Sequence, residues 1–242
     1  MQVSSAPGHP DVIRIVAPNP GPMTLEGTNT YVYGADPCVV IDPGDDDPAH
    51  LDAIRSAAAG RGGIGLVLLT HSHRDHSEGA DQLEAEVVLP SGGEVHAGLR
   101  VLATPGHAAD HVCFIAASGV CFAGDLVLGL GSTIVPPGGG SLAAYMDSLR
   151  LLQEEALELI APGHGPWVTD PAAKLAEYVG HREMRERRLL AALESGERSR
   201  AALLSQVWSD VPMELLPMAA MAMEAHLEKL EAEGRLPGDL RE

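Results

Sequence analysis

The chain has 242 residues, 45% of them hydrophobic, and a formal net charge of −18. That length buries a full core and suits one domain with an appendage. Three cysteines without metal-type spacing argue against a disulfide framework, and no apolar run approaches a membrane span. The acidity is uneven: residues 1–169 carry 6 Lys or Arg against 20 Asp or Glu, and residues 170–242 carry 10 against 14. A polyanion such as RNA meets a mostly repulsive field.

In chain order, Val39-Val40-Ile41 reads as a strand running into Asp42-Pro43-Gly44, and Pro48 to Ala59 as a helix. Ile64 to Leu69 is a buried strand bounded by glycine. Directly after it stands Thr70-His71-Ser72-His73-Arg74-Asp75-His76, four metal-binding side chains within six positions. A second helix is expected over Glu78 to Glu84, then a short connection through Val87-Val88-Leu89-Pro90 and Glu94 to Leu99. Three apolar strands then end on a single polar residue each: Val101 to Ala103 before Gly106-His107, Val120 to Ala123 before Gly124-Asp125, and Leu157 to Ile160 before Gly163-His164. Cys113 and Cys121, in apolar strands, read as buried thiols, as does Cys38. A helix with Ser141 as its cap spans Ser141 to Leu157.

From Ala172 the pattern is helical almost to the end. Leu175, Val179, Arg182, Glu186, Leu189 and Leu193 share one face, Glu183 and Arg187 form a charge pair, and Ser195-Gly196 stops the helix. Ser199 to Trp208 and Pro217 to Glu233 are two further helices. Met213, Met218, Met221 and Met223 are expected to pack a helix interface. The last helix carries mostly glutamates, so a role in docking, cleft lining or a homodimer contact is favoured over nucleic-acid reading.

Imidazole and carboxylate suit zinc, and also iron or manganese. His71, His73 and His107 can serve one ion, Asp75, His76 and His164 a second, and Asp125 is suited to bridge them. Water between two such ions loses a proton near neutral pH and becomes a nucleophile.

The series His71-x-His73-x-Asp75-His76, His107, Asp125, His164 resembles the metallo-β-lactamase superfamily. Thr24 to Tyr31, Val39 to Gly44 and His181 to Glu186 are similar to signatures of its lactamase-beta-two-like, glyoxalase-II-related branch. The resemblance implies an αββα sandwich over residues 1–170, with the site along the sheet edge, and a small winged-helix-like module over 171–242. It implies the same division of the seven ligands between two metals, and makes Asp42 and His111 candidates for orienting ligating imidazoles.

The expected function is a dinuclear metallohydrolase acting on an ester, thioester, lactam or related carbonyl of a small molecule, with Asp75 as the catalytic carboxylate. The rivals are a single-strand endoribonuclease, opposed by the acidic surface; a glyoxalase-II-like thioesterase, for which Arg182, Arg185 and Arg187 are the available cations; a one-iron persulfide dioxygenase; and a metal-stabilised scaffold. His73 stands where the flavodiiron group places glutamate, and the interval from Asp125 to His164 cannot hold the domain inserted in β-CASP nucleases. No basic and then apolar leader opens the sequence, so the reading is cytosolic.

Overall fold

A computed structural model describes residues 2–241. The chain divides into two compact units. The first comprises the chain up to Thr104, Asp110–Thr133 and Glu155–Ala172; the second comprises Pro105–Ala109, Ile134–Glu154 and the chain from Ala173 onward.

The first unit contains two mixed sheets. One joins β1 (Val3–Ala6), β2 (His9–Val16), β3 (Asn29–Tyr33), β4 (Cys38–Ile41), β5 (Ile64–Leu68) and β6 (Glu86–Val88) in sequence order, antiparallel as far as β4 and parallel from β4 to β6. The other runs β11-β10-β9-β8-β7, from β7 (Val95–His96), β8 (Leu99–Ala103), β9 (Val112–Ile115), β10 (Val120–Gly124) and β11 (Leu159–Pro162). Its β10 and β11 are parallel, so their carboxyl ends share an edge.

Period-two alternation sorts the side chains to two faces. Tyr31, Val39, Ile41 and Leu68 meet Val101, Phe114, Phe122 and Leu159 of the other sheet in one buried cluster. Val32, Val40 and Val67 face the other way, onto Leu51, Ile54 and Ala58 of α1 (Pro48–Ala59). Helix α1 has the bounds expected from sequence, with Asp47 Oδ1 accepting the His50 N–H at 2.8 Å as its cap. All three cysteines are free and buried.

The helix expected over Glu78 to Glu84 does not form. A single helical turn, α2 (Arg74–Ser77), lies earlier, and Ala80–Leu83 is a 3-10 turn. Gly79 separates them: its N–H bonds Gly44 O at 2.8 Å, and a Cβ there would stand 2.8 Å from Asp45 O. Backbone pinned that closely to another segment cannot continue the helix.

The second unit is helical: α3 (Leu142–Gln153), α4 (Pro171–Glu194, from Ala173 on), α5 (Arg200–Val207) and α6 (Leu216–Ala232). Ser141 caps α3 through its Oγ, but the helix ends at Gln153 rather than Leu157, because Glu158 N–H turns to Gly119 O at 2.9 Å. Leu189, Leu193, Leu203, Trp208, Met223 and Leu227 build its core. Met223 is buried there as expected, but Met213 is 81% exposed, because it sits in the 3-10 turn Met213–Leu215 ahead of α6. Among the described residues, no helix is long and apolar enough to cross a membrane.

Candidate metal centre

Four strand ends of the first unit supply the site. β5 leads into His71, His73 and the turn α2 that carries Asp75 and His76; β10 leads to Asp125; β11 leads to His164; and β4 leads to Asp42. Asp75 and His76 are neighbours in one turn, closed by His76 N–H to His73 O at 3.0 Å. Six of the seven donors picked from sequence therefore lie together in this unit. The seventh, His107, belongs to the second unit, in the turn Pro105–Ala109.

Distances among the six are those of donors around an ion. His76 Nε2 and His164 Nε2 are 3.3 Å apart. Asp75 Oδ2 lies 3.6 Å from the first nitrogen and 3.3 Å from the second, and Asp125 Oδ1 lies at 3.5 and 3.4 Å. Four ligands placed tetrahedrally around zinc at roughly 2.0–2.1 Å stand about 3.3 Å from one another. His71 Nε2 and His73 Nδ1 form a second close pair at 3.0 Å. By donor type and by spacing, these residues could hold a divalent cation.

Hydrogen bonds on the far side of each ring choose which nitrogen keeps its lone pair. Asp42 Oδ2 accepts His76 Nδ1–H at 2.9 Å. The same carboxylate accepts the Thr70 hydroxyl at 2.7 Å and the Thr70 N–H at 2.8 Å. Having given its proton to Asp42, Thr70 Oγ1 accepts His71 Nδ1–H at 3.0 Å. His164 Nδ1–H donates to Gly27 O at 3.3 Å. In each case Nε2 is the nitrogen whose lone pair could take a metal. His111 is buried and works differently: its Nδ1–H meets Thr104 Oγ1 at 2.9 Å, so its Nε2 accepts the backbone N–H of Asp125 at 3.1 Å. Within the second unit, His107 Nδ1–H donates to Ile134 O at 2.7 Å, and Ser141 N–H and the Ser148 hydroxyl hold the carbonyls of Gly106 and Pro105, both at 2.8 Å.

Electrostatics favour positive charge here. Burial drives the Asp125 carboxyl up, but His76 and His164 outweigh it and hold Asp125 well below its ordinary range. Burial pushes His76 down, and Asp125 and Asp42 more than reverse it. His164, opposed by burial but facing Asp125 and Asp75, is pushed up to about 9. Carboxylates that hold protons on buried imidazoles do the same for a divalent ion that replaces those protons.

Sequence reading missed how the His164 turn is held. Its carbonyls are taken by the first sheet: Tyr31 OH donates to Pro162 O at 2.7 Å, Asn29 N–H to Gly163 O at 2.7 Å, and Asn29 Nδ2 to both Pro162 O and Gly165 O at 2.9 Å. Arg14 Nη1 adds a bond to Gly165 O at 3.0 Å, with its guanidinium 5.2 Å from the Trp167 ring centre. The available signal was alternation: Asn29 and Tyr31 are two apart on one strand and so point to one face. Gly163 is required by contact, since a Cβ there would lie 2.4 Å from Asp125 Oδ1 and 2.8 Å from His76 Cε1. The cations considered for a glutathione carboxylate are partly committed: Arg185 forks onto Asp210 at 2.6 and 3.1 Å and donates to Val207 O.

Comparison with known proteins gives the family and the fold. Residues 23–97 and 86–164 match the family described as Metallo-beta-lactamase superfamily, and residues 199–236 match the Beta-lactamase associated winged helix domain. The chain is 33% identical to the Beta-lactamase-like protein 2 homolog of Drosophila melanogaster over 93% of its own length and 89% of the relative's. It is 35% identical to the Atrochrysone carboxyl ACP thioesterase of Aspergillus chevalieri, covering 79% of this chain and 68% of that one. Among solved structures, a metallo-beta-lactamase family protein from Thermus thermophilus matches in fold with a TM-score of 0.75, at 23% identity, over 94% of this chain and 95% of that one.

Proposed function

This chain belongs to the metallo-beta-lactamase superfamily and is a hydrolase; on that premise we propose that it cleaves an acyl substrate, a thioester first, with two divalent ions, zinc foremost. In this reading His71, His73 and His107 would hold one ion and Asp75, His76 and His164 the other, with Asp125 as a further carboxylate for them. One observation carries it: the four-atom ring of His76 Nε2, His164 Nε2, Asp75 Oδ2 and Asp125 Oδ1, whose separations run from 3.3 to 3.6 Å. When bound, such ions polarise the scissile carbonyl and lower the pKa of water.

The chain's own residues do the rest. Asp42 and Thr70 fix the tautomers of His76 and His71, so these rings need not reorganise on loading. His111 fixes the backbone from which Asp125 extends. Asp75 has a side chain 31% exposed, against 12% for Asp125, which supports the reading that it exchanges a proton with water and substrate. A thiol leaves readily near neutral pH because its pKa is about 8.5. It therefore asks less of a general acid than an alkoxide or amine does, which suits a site made of imidazoles and carboxylates. The thioesterase name of the Aspergillus relative supports the same choice.

The test sets an S-acyl N-acetylcysteamine thioester against an unstructured RNA oligonucleotide, each with wild type and Asp75→Ala, with and without chelator. Thioester turnover that vanishes with chelator and with Asp75→Ala is expected, with no RNA cleavage. Chelator-sensitive RNA cleavage without thioester turnover would overturn the acyl-substrate reading in favour of a nuclease.

A further inference from the structure

We infer that the helical unit carries a binding site for a small organic oxyanion, a phosphate or carboxylate group on a compact body, in a cleft formed by α3, α4 and α6. The cleft has a cavity volume of about 240 Å³. It is lined by Arg150 of α3, Arg182 and Arg187 of α4, Lys229 of α6 and Arg235 just past its end. Among the described residues of the lining, Glu183 and Glu186 bring negative charge. In a chain of net charge −18, that concentration of cations is local and runs against the general field.

Apart from Arg182, these donors are not saturated by carboxylates. Glu186 takes Lys229 Nζ at 2.8 Å and Arg235 Nη1 at 3.4 Å, while Glu183 faces Arg150 at 3.5 Å and Arg187 at 3.8 Å. Outside the lining, Glu233 also reaches Lys229 and Arg235, at 2.7 and 2.9 Å, and Asp147 reaches Arg150 at 3.2 Å. A guanidinium offers about five N–H donors and a carboxylate about four acceptor sites. Leaving Arg182 aside, three guanidiniums and one ammonium offer about 18 N–H donors against about 16 acceptor sites on these four acids, and an acceptor-only ligand group matches the surplus.

A second, independent observation lies at the floor. His226 lines the cleft, is 1% exposed, and has no hydrogen-bond partner at either ring nitrogen; Nδ1 stops 3.8 Å from Glu186 Oε2. A buried polar nitrogen without a partner is costly, and a ligand oxygen reaching the floor would relieve it. Burial, partly countered by Glu186 and reinforced by Arg182, holds the His226 pKa below its ordinary value, so the ring is a neutral donor rather than a further charge. Beside it, Arg182 is buried with its guanidinium 5.5 Å from the ring centre of Tyr145. Arg187 and Arg235, with side chains 68% and 47% exposed, form the mouth.

Size and wall chemistry narrow the occupant. A water molecule takes roughly 30 Å³ of liquid, so the cavity is several waters larger than a bare oxyanion group. Met146 and Leu190 supply apolar wall for the remainder. The ligand is therefore a monoester or carboxylic acid with a few carbons, seated with its oxygens toward His226.

The experiment titrates zinc-loaded protein, labelled with 15N at histidine, with glycerol 2-phosphate and separately with sodium sulfate at constant ionic strength. The His226 ring signals are identified by their loss in His226→Gln. Saturable shifts of those signals are expected, with glycerol 2-phosphate several-fold tighter than sulfate, and about ten-fold weaker binding in Arg187→Gln and Arg235→Gln, the loss of one charge-assisted hydrogen bond each. No saturable shift with either probe, or shifts that survive unchanged in both variants, would overturn the site. Equal affinity for the two probes would overturn the organic-body assignment. Because the readout is the His226 ring and the variants lie in the helical unit, phosphate bound at the metal centre cannot mimic it.

Discussion

The two halves of the metal centre are built in different ways. The His71 to His76 segment brings four donors in one stretch of chain, aimed by the end of β5 and one helical turn, with a single distant carboxylate, Asp42, setting the tautomers. The His164 turn brings one donor and depends on bonds from Arg14, Asn29 and Tyr31 of the opposite sheet. Chemistry concentrated in sequence needs little support, whereas a lone ligand must be held in place by the fold. The same centre should therefore fail differently when each half is disturbed.

The largest effect is expected at Asp75. Asp75→Ala removes a donor and the proposed proton-handling carboxylate, and steady-state kinetics should show turnover down at least about a hundred-fold. Asp42→Asn acts through Thr70 and His76, and zinc affinity measured by competition with a chelator should fall about 10- to 100-fold, as for other lost partners of ligating histidines. Gly163→Ala forces a methyl group against Asp125 and His76. It should cost about 1–3 kcal/mol in thermal or denaturant unfolding and lower metal content together.

Tyr31→Phe sharpens the comparison most. It deletes one hydrogen bond to Pro162 O, worth about 0.5–1.5 kcal/mol of stability. Metal titration should show the more weakly held ion lost first while the other is retained. Equal loss of both ions would break the distinction between the two halves.

The smallest effect lies in the helical unit. With His226 facing it and Lys229 bonded to it, the Glu186 carboxyl is held at about 2, below its ordinary 4.5. A folded pKa below the unfolded one gives stability that is present above about 4.5 and is lost as pH falls toward 2. The unfolding midpoints of wild type and Glu186→Gln should therefore differ by a constant amount at neutral pH and converge in acid.

Legibility from sequence followed the same division. The strand end bearing His71 could be read because an apolar run stops at a cluster of imidazoles, those bearing Asp125 and His164 because it stops at a glycine-flanked polar residue, and α1 because Asp47 and Pro48 mark its start. The 3-10 turn at Ala80–Leu83 could not be read, because what interrupts the helix is the backbone of Gly44 and Asp45 against Gly79, a tertiary contact. The start of α6 could be read to within one residue, but Met213 lies ahead of it in the 3-10 turn Met213–Leu215, where the methionine spacing carries no signal of burial. Asn29 and Tyr31 were visible as strand residues, but their targets at Pro162, Gly163 and Gly165 lie more than 130 positions away. The resemblance makes His111 a candidate for orienting an imidazole; instead the ends of β8 and β10 bring Thr104 and the backbone of Asp125 to its two nitrogens, a pairing that sequence does not show.

The most direct measurement is the number of divalent ions per chain, by elemental analysis of protein equilibrated in buffered zinc and then freed of loose metal. The account predicts two ions for wild type and a deficit for Asp75→Ala. Wild-type protein that retains one ion or none, while still hydrolysing its substrate, would contradict it.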